Sequence, residues 1–209
     1  MTENTPIRVL CVDDHPLMRE GIGAILNNQP DMQIVAEASN GREALEQFRL
    51  IRSDITLMDL RLPDMSGIDA MRSILAEFPH ARVIMLTMSE GDVEIQRALK
   101  AGACAYLLKT MPRQDIIETI RKVHKGKKHI PTEIASNLAE YMGTETLTER
   151  EVGVLALLGE GNRNRDVADK LFISEETVKV HVKHIMEKLG ASDRTQAVAI
   201  ALRRGIIHL

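Results

Sequence analysis

Two rhythms of apolar and polar positions divide the chain. Short apolar runs of four to six residues, rich in β-branched side chains, recur at 7–12, 32–37, 55–58, 83–86 and 105–108. Between and after them, apolar residues return every three or four positions, at 16–26, 42–51, 68–77, 93–100 and 113–124. The first rhythm is that of buried strands, the second that of amphipathic helices. Five strand–helix units in series predict a parallel sheet clad by helices on both faces. Right-handed crossovers then make it an open, doubly wound sheet, whose ligands bind at the carboxyl ends of the strands near the switch in strand order.

After Gly126 the strand rhythm stops. "KGKKHIPTEIASNLAEYMG" reads as a basic connector followed by one amphipathic helix, with Gly143 as its stop. From Thr146 onward only helices are expected. Thr148 and Glu151 form a capping box that opens a helix through about Leu158. Asn164 is placed to cap a short helix ending near Leu171. Ser174 caps a longer one that stops at Gly190, and Asp193 with Gln196 opens the last. The expected organisation is an α/β domain over 1–126, a linker with one helix over 127–145, and a small all-α domain over 146–209.

Composition changes this picture only at its margins. The 209 residues are 44% apolar and 27% charged, enough for two packed cores, but aromatics are only 2%, so Leu, Ile, Val, Ala and Met must fill them. No apolar run approaches the ~20 residues of a membrane span, and the opening "MTENTPI" is too polar for a signal peptide. Cys11 and Cys104 lie inside apolar runs and are expected as buried, reduced thiols. A soluble cytoplasmic protein with no membrane partner is the expectation. The net charge of −3 argues against a chain that coats nucleic acid, without excluding a local basic patch.

The chemistry collects at the strand ends. The first strand runs into Asp13 and Asp14, the third into Asp59, the fourth into Thr87 and the fifth into Lys109. One aspartate after a strand is an ordinary turn former, and one lysine there is ordinarily solvated. Five such residues on four strands of a doubly wound sheet converge on one cleft. Three carboxylates so close cannot all stay ionised without a cation, and a hard divalent ion such as Mg²⁺ takes carboxylate oxygens while keeping several waters. One carboxylate can then act as nucleophile toward a phosphoryl group. The metal and the lysine neutralise charge on the transferring oxygens, and Thr87 offers a hydroxyl to the product.

At these residues residues 7–125 resemble the receiver domain of two-component response regulators, through "VDDH", "LMDLRLPDMSG", "MLTM" and "GACAYLLK". The resemblance implies a flavodoxin-like fold with Asp59 as the phospho-accepting residue. Mg²⁺ would be held by Asp13, Asp14, Asp59 and the main-chain carbonyl of Arg61. Thr87 and Tyr106 would form the pair that reorients on phosphorylation, and Lys109 would contact the phosphoryl group. Pro63 and Gly67 would shape the loop after Asp59. The proline that often follows the lysine is replaced by Thr110, so Pro112 is expected in the first turn of the next helix.

In the helical region, 164–171, a turn at Phe172–Ile173, and 174–189 read as a helix-turn-helix. Val178, Val182, Ile185 and Leu189 form the core stripe of the second helix, and Glu176, Lys179, Val180, Lys183, His184 and Glu187 lie opposite. Val180 exposed between two lysines suits a major groove, where lysine reaches guanine and valine a thymine methyl. Arg163, Arg165 and Arg194 are placed to meet phosphates. Residues 161–204 hold nine Lys/Arg against six Asp/Glu, so a single copy should bind weakly and two copies on a repeated site are expected. Residues 144–209 resemble LuxR-type output domains, most specifically in "LTEREVGVL" and "ISEETVKVHVKHIMEKL". With the receiver ahead of it, the chain resembles the NarL/FixJ family. That resemblance implies base contacts from Lys179, Val180 and Lys183, phosphate contacts from Thr177, His181 and Arg194, and pairing of output domains through the last helix. His181 and His184 stand three apart with no further Cys or His suitably spaced, so no zinc site is expected.

The expected function is a phosphorylation-activated, dimeric DNA-binding transcription regulator that receives phosphate on Asp59 from a sensor histidine kinase. It would not be an enzyme beyond accepting and hydrolysing its own phosphoryl group. The alternative keeps DNA binding and uses the receiver only as a dimerisation scaffold. A phosphohydrolase of the haloacid-dehalogenase type would need an acid two residues after the nucleophile, where Arg61 stands, and "DDHPLMREG" lacks the glycines of a dinucleotide site.

Overall fold

Each apolar run of the first half forms a strand: β1 (Ile7–Val12), β2 (Met32–Ala38), β3 (Ile55–Met58), β4 (Val83–Thr87) and β5 (Ala105–Leu108). All pairings are parallel, in the order β2-β1-β3-β4-β5. The computed structural model describes residues 5–141 and 145–208, the side chains of Glu133 and Asn137 excepted, so the stop expected at Gly143 lies outside the described residues. Every residue of β3, β4 and β5 is buried, which is why those runs are continuously apolar instead of alternating. β2 lies at an edge and is partly exposed, and it carries Gln33 and Glu37 accordingly.

The intervening helices are α1 (Pro16–Asn27), α2 (Gly41–Ile51), α3 (Gly67–Glu77), α4 (Asp92–Ala101) and α5 (Arg113–His124). Asn40 caps α2 by accepting from the Glu43 amide, and Ser66 caps α3 by accepting from the Asp69 amide. Pro112 stands one residue earlier than expected, as the N-cap of α5. Its ψ of 140° keeps it extended, so Arg113 is the first helical residue. Only the step from β1 to β2 runs against the direction of the later crossovers, so the strand order switches between β1 and β3.

The connector after α5 is not a loose tether at its start. The His129 amide donates to the Cys104 carbonyl at 3.1 Å, and His129 forms a parallel bridge with Ala105 on the edge strand β5. A helix, α6 (Thr132–Glu140), follows.

The chain divides into two compact units, residues 1–89 with 95–135, and residues 90–94 with 136–209. In the second, α7 (Glu149–Gly159), α8 (Asn164–Leu171), α9 (Glu175–Leu189) and α10 (Arg194–Arg203) bury a core that includes Val154, Leu155, Leu158, Val167, Val178 and Ile185. The capping box of Thr148 and Glu151 is formed. The Glu151 carboxylate also accepts from Lys188 of α9 at 2.8 Å, tying two helices together. The start of α8 differs from expectation. Arg163 is the N-cap and Asn164 the first helical residue, because the Asp166 carboxylate reaches back to the Arg163 amide at 3.0 Å and closes the turn there. Ser174, Gly190 and Asp193 take the capping positions read from the sequence.

Candidate functional site

The register of the sheet builds the pocket. β1 and β3 pair through Val12 and Met58, so the residues that follow, Asp13 and Asp59, emerge side by side at the switch in strand order. The Asp59 amide donates to the Val12 carbonyl at 2.9 Å, which holds the two strand ends together. On the other flank Thr87 pairs with Leu108, and the Lys109 amide donates to the Thr87 carbonyl at 2.8 Å. The four strand ends thereby deliver two carboxylates, a hydroxyl and an ammonium to one place.

Lys109 sits between the carboxylates. Its Nζ lies 2.6 Å from Asp13 Oδ2 and 2.8 Å from Asp59 Oδ2, and its side chain is only 5% exposed. Burial works against the ammonium, but hydrogen bonds to Asp13 and Asp59 outweigh it and raise its pKa above the ordinary lysine value. Asp59 is pushed above the usual carboxylate range, first by burial and further by the Asp13 charge, although Lys109 and the Leu60 amide oppose the shift. Burial sets the Asp59 direction and the Asp13 charge adds to it, while Lys109 gains two carboxylate partners that outweigh its own burial. Asp14 differs. It is 37% exposed, with the His15 imidazole Nδ1 at 2.7 Å.

Asp13, Asp14, His15 and Asp59 each bring one ligand atom within 4.8 Å of the others. Three of these are hard oxygen donors, and the donor set fits a Mg²⁺-sized cation that retains part of its water shell. The loop that returns from Asp59 fits closely around it. Arg61 bridges Ser66, and the Gly67 amide donates to the Leu60 carbonyl at 2.8 Å. A Cβ at position 67 would meet the Asp59 carbonyl oxygen at 1.8 Å, so only glycine allows that approach. The Asp64 carboxylate accepts from the Gly41 and Arg42 amides, which ties the loop to the start of α2. Tyr106 is fully buried and donates its hydroxyl to the Ser89 carbonyl at 2.9 Å, while the Ser89 amide donates to Thr87 Oγ1 at 3.3 Å. The residues named from sequence as a reorienting pair thus meet through one intermediary, Ser89. The Cys11 thiol, also buried, is pushed up to about 12 by burial and by Asp13, which leaves it protonated and unreactive near neutral pH.

In the second unit α8 and α9 form the helix-turn-helix. Val178 and Ile185 of α9 are buried, with Val182 and Leu189 half-buried beside them. Thr177, Lys179, Val180, Lys183 and His184 are exposed, and His181 is half-buried. The lysines hold only exposed partners on their own helix: Lys179 to Glu176 at 3.2 Å and Lys183 to Glu187 at 3.8 Å. Such pairs contribute little and exchange cheaply for phosphates. Arg194 is exposed and donates one guanidinium N–H to the Asn162 carbonyl, leaving the rest of the group at the surface.

The sequence profile described as "Response regulator receiver domain" matches residues 9–121. The protein VraR of Staphylococcus saprophyticus, a response regulator, is 38% identical over 208 residues, covering 97% of this chain and all of that one. The chain belongs to the response regulators. A second profile, "Bacterial regulatory proteins, luxR family", matches residues 145–201 of the response regulator, the helix-turn-helix region. Among solved structures, ChrA, a response regulator of a heme-sensing two-component system, is 35% identical with a TM-score of 0.59 over 97% of this chain and 99% of that one. The response regulator RcsB, solved in complex with DNA, is 25% identical with a TM-score of 0.73, over 95% and 99%.

Three features of this response regulator escaped the sequence reading. His15 joins the acidic cluster; it follows Asp14 directly, and a histidine among carboxylates was the available signal. Ser89, two residues past β4 and read from the sequence only as a flank of the pocket, links Thr87 to Tyr106. The role of Asp64 as a second anchor for α2 has no local signal, because its partners lie more than twenty residues away. Among the described residues no helix is long and apolar enough to cross a membrane.

Proposed function

We propose that this response regulator is a phosphorylation-activated, DNA-binding transcriptional regulator that takes its phosphoryl group on Asp59. The observation that carries the reading is the buried group of Asp13, Asp59 and Lys109 at the switch in strand order, with Asp14 at its rim. Asp13, Asp14, Asp59 and the main-chain carbonyl of Arg61 would hold Mg²⁺, which when bound neutralises charge on the incoming group. The Asp59 carboxylate attacks phosphorus, forming a P–O bond as the donor's P–N or P–O bond breaks. Lys109, held charged at that carboxylate, balances the phosphoryl oxygens. Thr87 supplies a hydroxyl to the product, and a shift of Thr87 reaches Tyr106 through Ser89.

A sensor histidine kinase or a small phosphodonor supplies the phosphate. The protein turns over no other substrate, and it works in the cytoplasm. DNA is engaged through α9, with Lys179, Val180 and Lys183 toward bases, His184 on the same exposed face, and Thr177, His181 and Arg194 toward the backbone. A modest excess of positive charge favours two copies on a repeated site.

Intact-mass measurement with acetyl phosphate tests the reading. One added phosphoryl group on the wild type, dependent on Mg²⁺ and absent from Asp59→Asn, is the expected result. An unlabelled wild type under every donor would favour the alternative, in which the receiver is only a dimerisation scaffold.

A further inference from the structure

Phe172 stands out on three counts. It occupies the left-handed region, with φ 55° and ψ 46°, where a bulky side chain is strained and glycine is the usual choice. Its side chain is 94% exposed, so no packing within the protein offsets that strain. Its backbone, by contrast, is fixed: the Ile173 amide donates to the Ala168 carbonyl at 3.0 Å, and Arg150 of α7 donates to the adjacent Leu171 carbonyl at 2.7 Å.

Arg52 is the other non-glycine residue with positive φ among the described residues, and it shows the usual compensation. Its guanidinium lies 3.6 Å over the Phe78 ring and its Nε donates to the Arg49 carbonyl. The remaining phenylalanines are also used internally, Phe48 and Phe78 packing with ring centroids 5.2 Å apart. Phe172 has neither kind of return.

A strained, rigidly mounted and exposed aromatic points outward for a reason. It sits in the helix-turn-helix turn, two residues before the Ser174 cap of the helix whose face carries exposed Val180. We infer that Phe172 packs on the deoxyribose face of the DNA backbone at the lip of the major groove. It would be an apolar clamp that seats α9 without reading sequence. The inference rests on the DNA-binding reading above. An uncharged ring displaces no counterions, so its contribution should not depend on salt.

The test uses full-length wild type, Phe172→Gly and Phe172→Asn, since glycine and asparagine both accept the left-handed backbone. The probe is a duplex selected by the wild type from a randomised pool, titrated at several salt concentrations, with thermal unfolding and solution mass read in parallel. Both variants should bind about fivefold more weakly at every salt, as uncovering one face of an aromatic ring would cause. The slope of log K against log salt should not change, and the unfolding midpoint should hold or rise. Wild-type affinity in both variants would overturn the inference, and so would a changed slope or a lowered midpoint, which would make Phe172 a structural residue. Loss of a dimer present in the wild type would overturn it in favour of a second copy as the occupant. A wild type that selects no duplex would remove the DNA-binding reading itself, an outcome distinct from all of these.

Discussion

Replacing Lys109 by Met removes the one ammonium that lies between Asp13 and Asp59 while roughly keeping its volume. Breaking a buried ion pair by deleting one partner costs about 3–5 kcal/mol, because the other charge is left uncompensated. Burial has already raised the Asp59 pKa, which disfavours its charged form and places the cost at the lower end of that range. A loss of about 3 kcal/mol near neutral pH is expected in EDTA, which lowers the midpoint of the first unit by roughly 10 °C. Mg²⁺ should then reverse it. With the lysine gone the cation meets less competition for the same oxygens, and a ligand at one hundred times its dissociation constant stabilises by about 2.7 kcal/mol. Thermal unfolding followed by circular dichroism, in EDTA and in excess Mg²⁺, reads both effects. The upward shift caused by Mg²⁺ should be larger in Lys109→Met than in the wild type. Unfolding of the variant at the wild-type temperature in EDTA, or an equal Mg²⁺ shift in the two proteins, would refute the account of the lysine as a resident counter-charge.

Three further outcomes are expected. Gly67→Ala should destabilise by about 3 kcal/mol or more and reduce Asp59 labelling, because the new Cβ meets backbone rather than a movable side chain; denaturant unfolding and intact mass check this. Glu151→Ala should cost about 2 kcal/mol, since the carboxylate serves both the Thr148 cap and Lys188. Burial opposes its charge, but Lys188 and Thr148 prevail and hold its pKa below the usual glutamate value, so its contribution is present above that value and fades as pH falls through the lowered one; unfolding midpoints across the acid range should be flatter in Glu151→Gln. Lys183→Ala should weaken binding to a selected duplex by about 1–3 kcal/mol and relax the preference at one base position, read by fluorescence anisotropy on a set of single-position duplex variants.

Strands β3, β4 and β5 were legible because every residue in them is buried, so they appear as apolar runs with polar residues at their ends, and β1 and β2 keep enough of that run despite Arg8, Gln33 and Glu37. Asp13, Asp59, Thr87 and Lys109 could be assigned to one cleft by the doubly wound topology alone, since that topology gathers carboxyl ends. The caps at Thr148, Ser174 and Asp193 were legible because a residue that caps well stands directly before a helical apolar pattern. The start of α8 slipped by one residue because Asn164 is itself a good cap, and only the reach of Asp166 to the Arg163 amide decides between them. Pro112 slipped for a similar reason, its fixed φ suiting both the cap and the first turn. Contacts between distant positions left no trace in the local pattern. The hold of Asp64 on α2, the bridge of His129 to β5 and the Tyr106 hydroxyl at Ser89 depend on packing that no short window contains. The turn at Phe172 was legible, but its left-handed backbone and bare side chain were not.

The central claim is that phosphorylation of Asp59 controls DNA binding, and one titration tests it most directly. A selected duplex is titrated with wild type and Asp59→Asn, each before and after treatment with acetyl phosphate and Mg²⁺, with the phosphorylated fraction read by intact mass on the same samples. The wild type should tighten its binding in proportion to that fraction, while Asp59→Asn stays at the untreated level throughout. Equal affinity of phosphorylated and unphosphorylated wild type, or tightening of Asp59→Asn by the same treatment, would contradict the account.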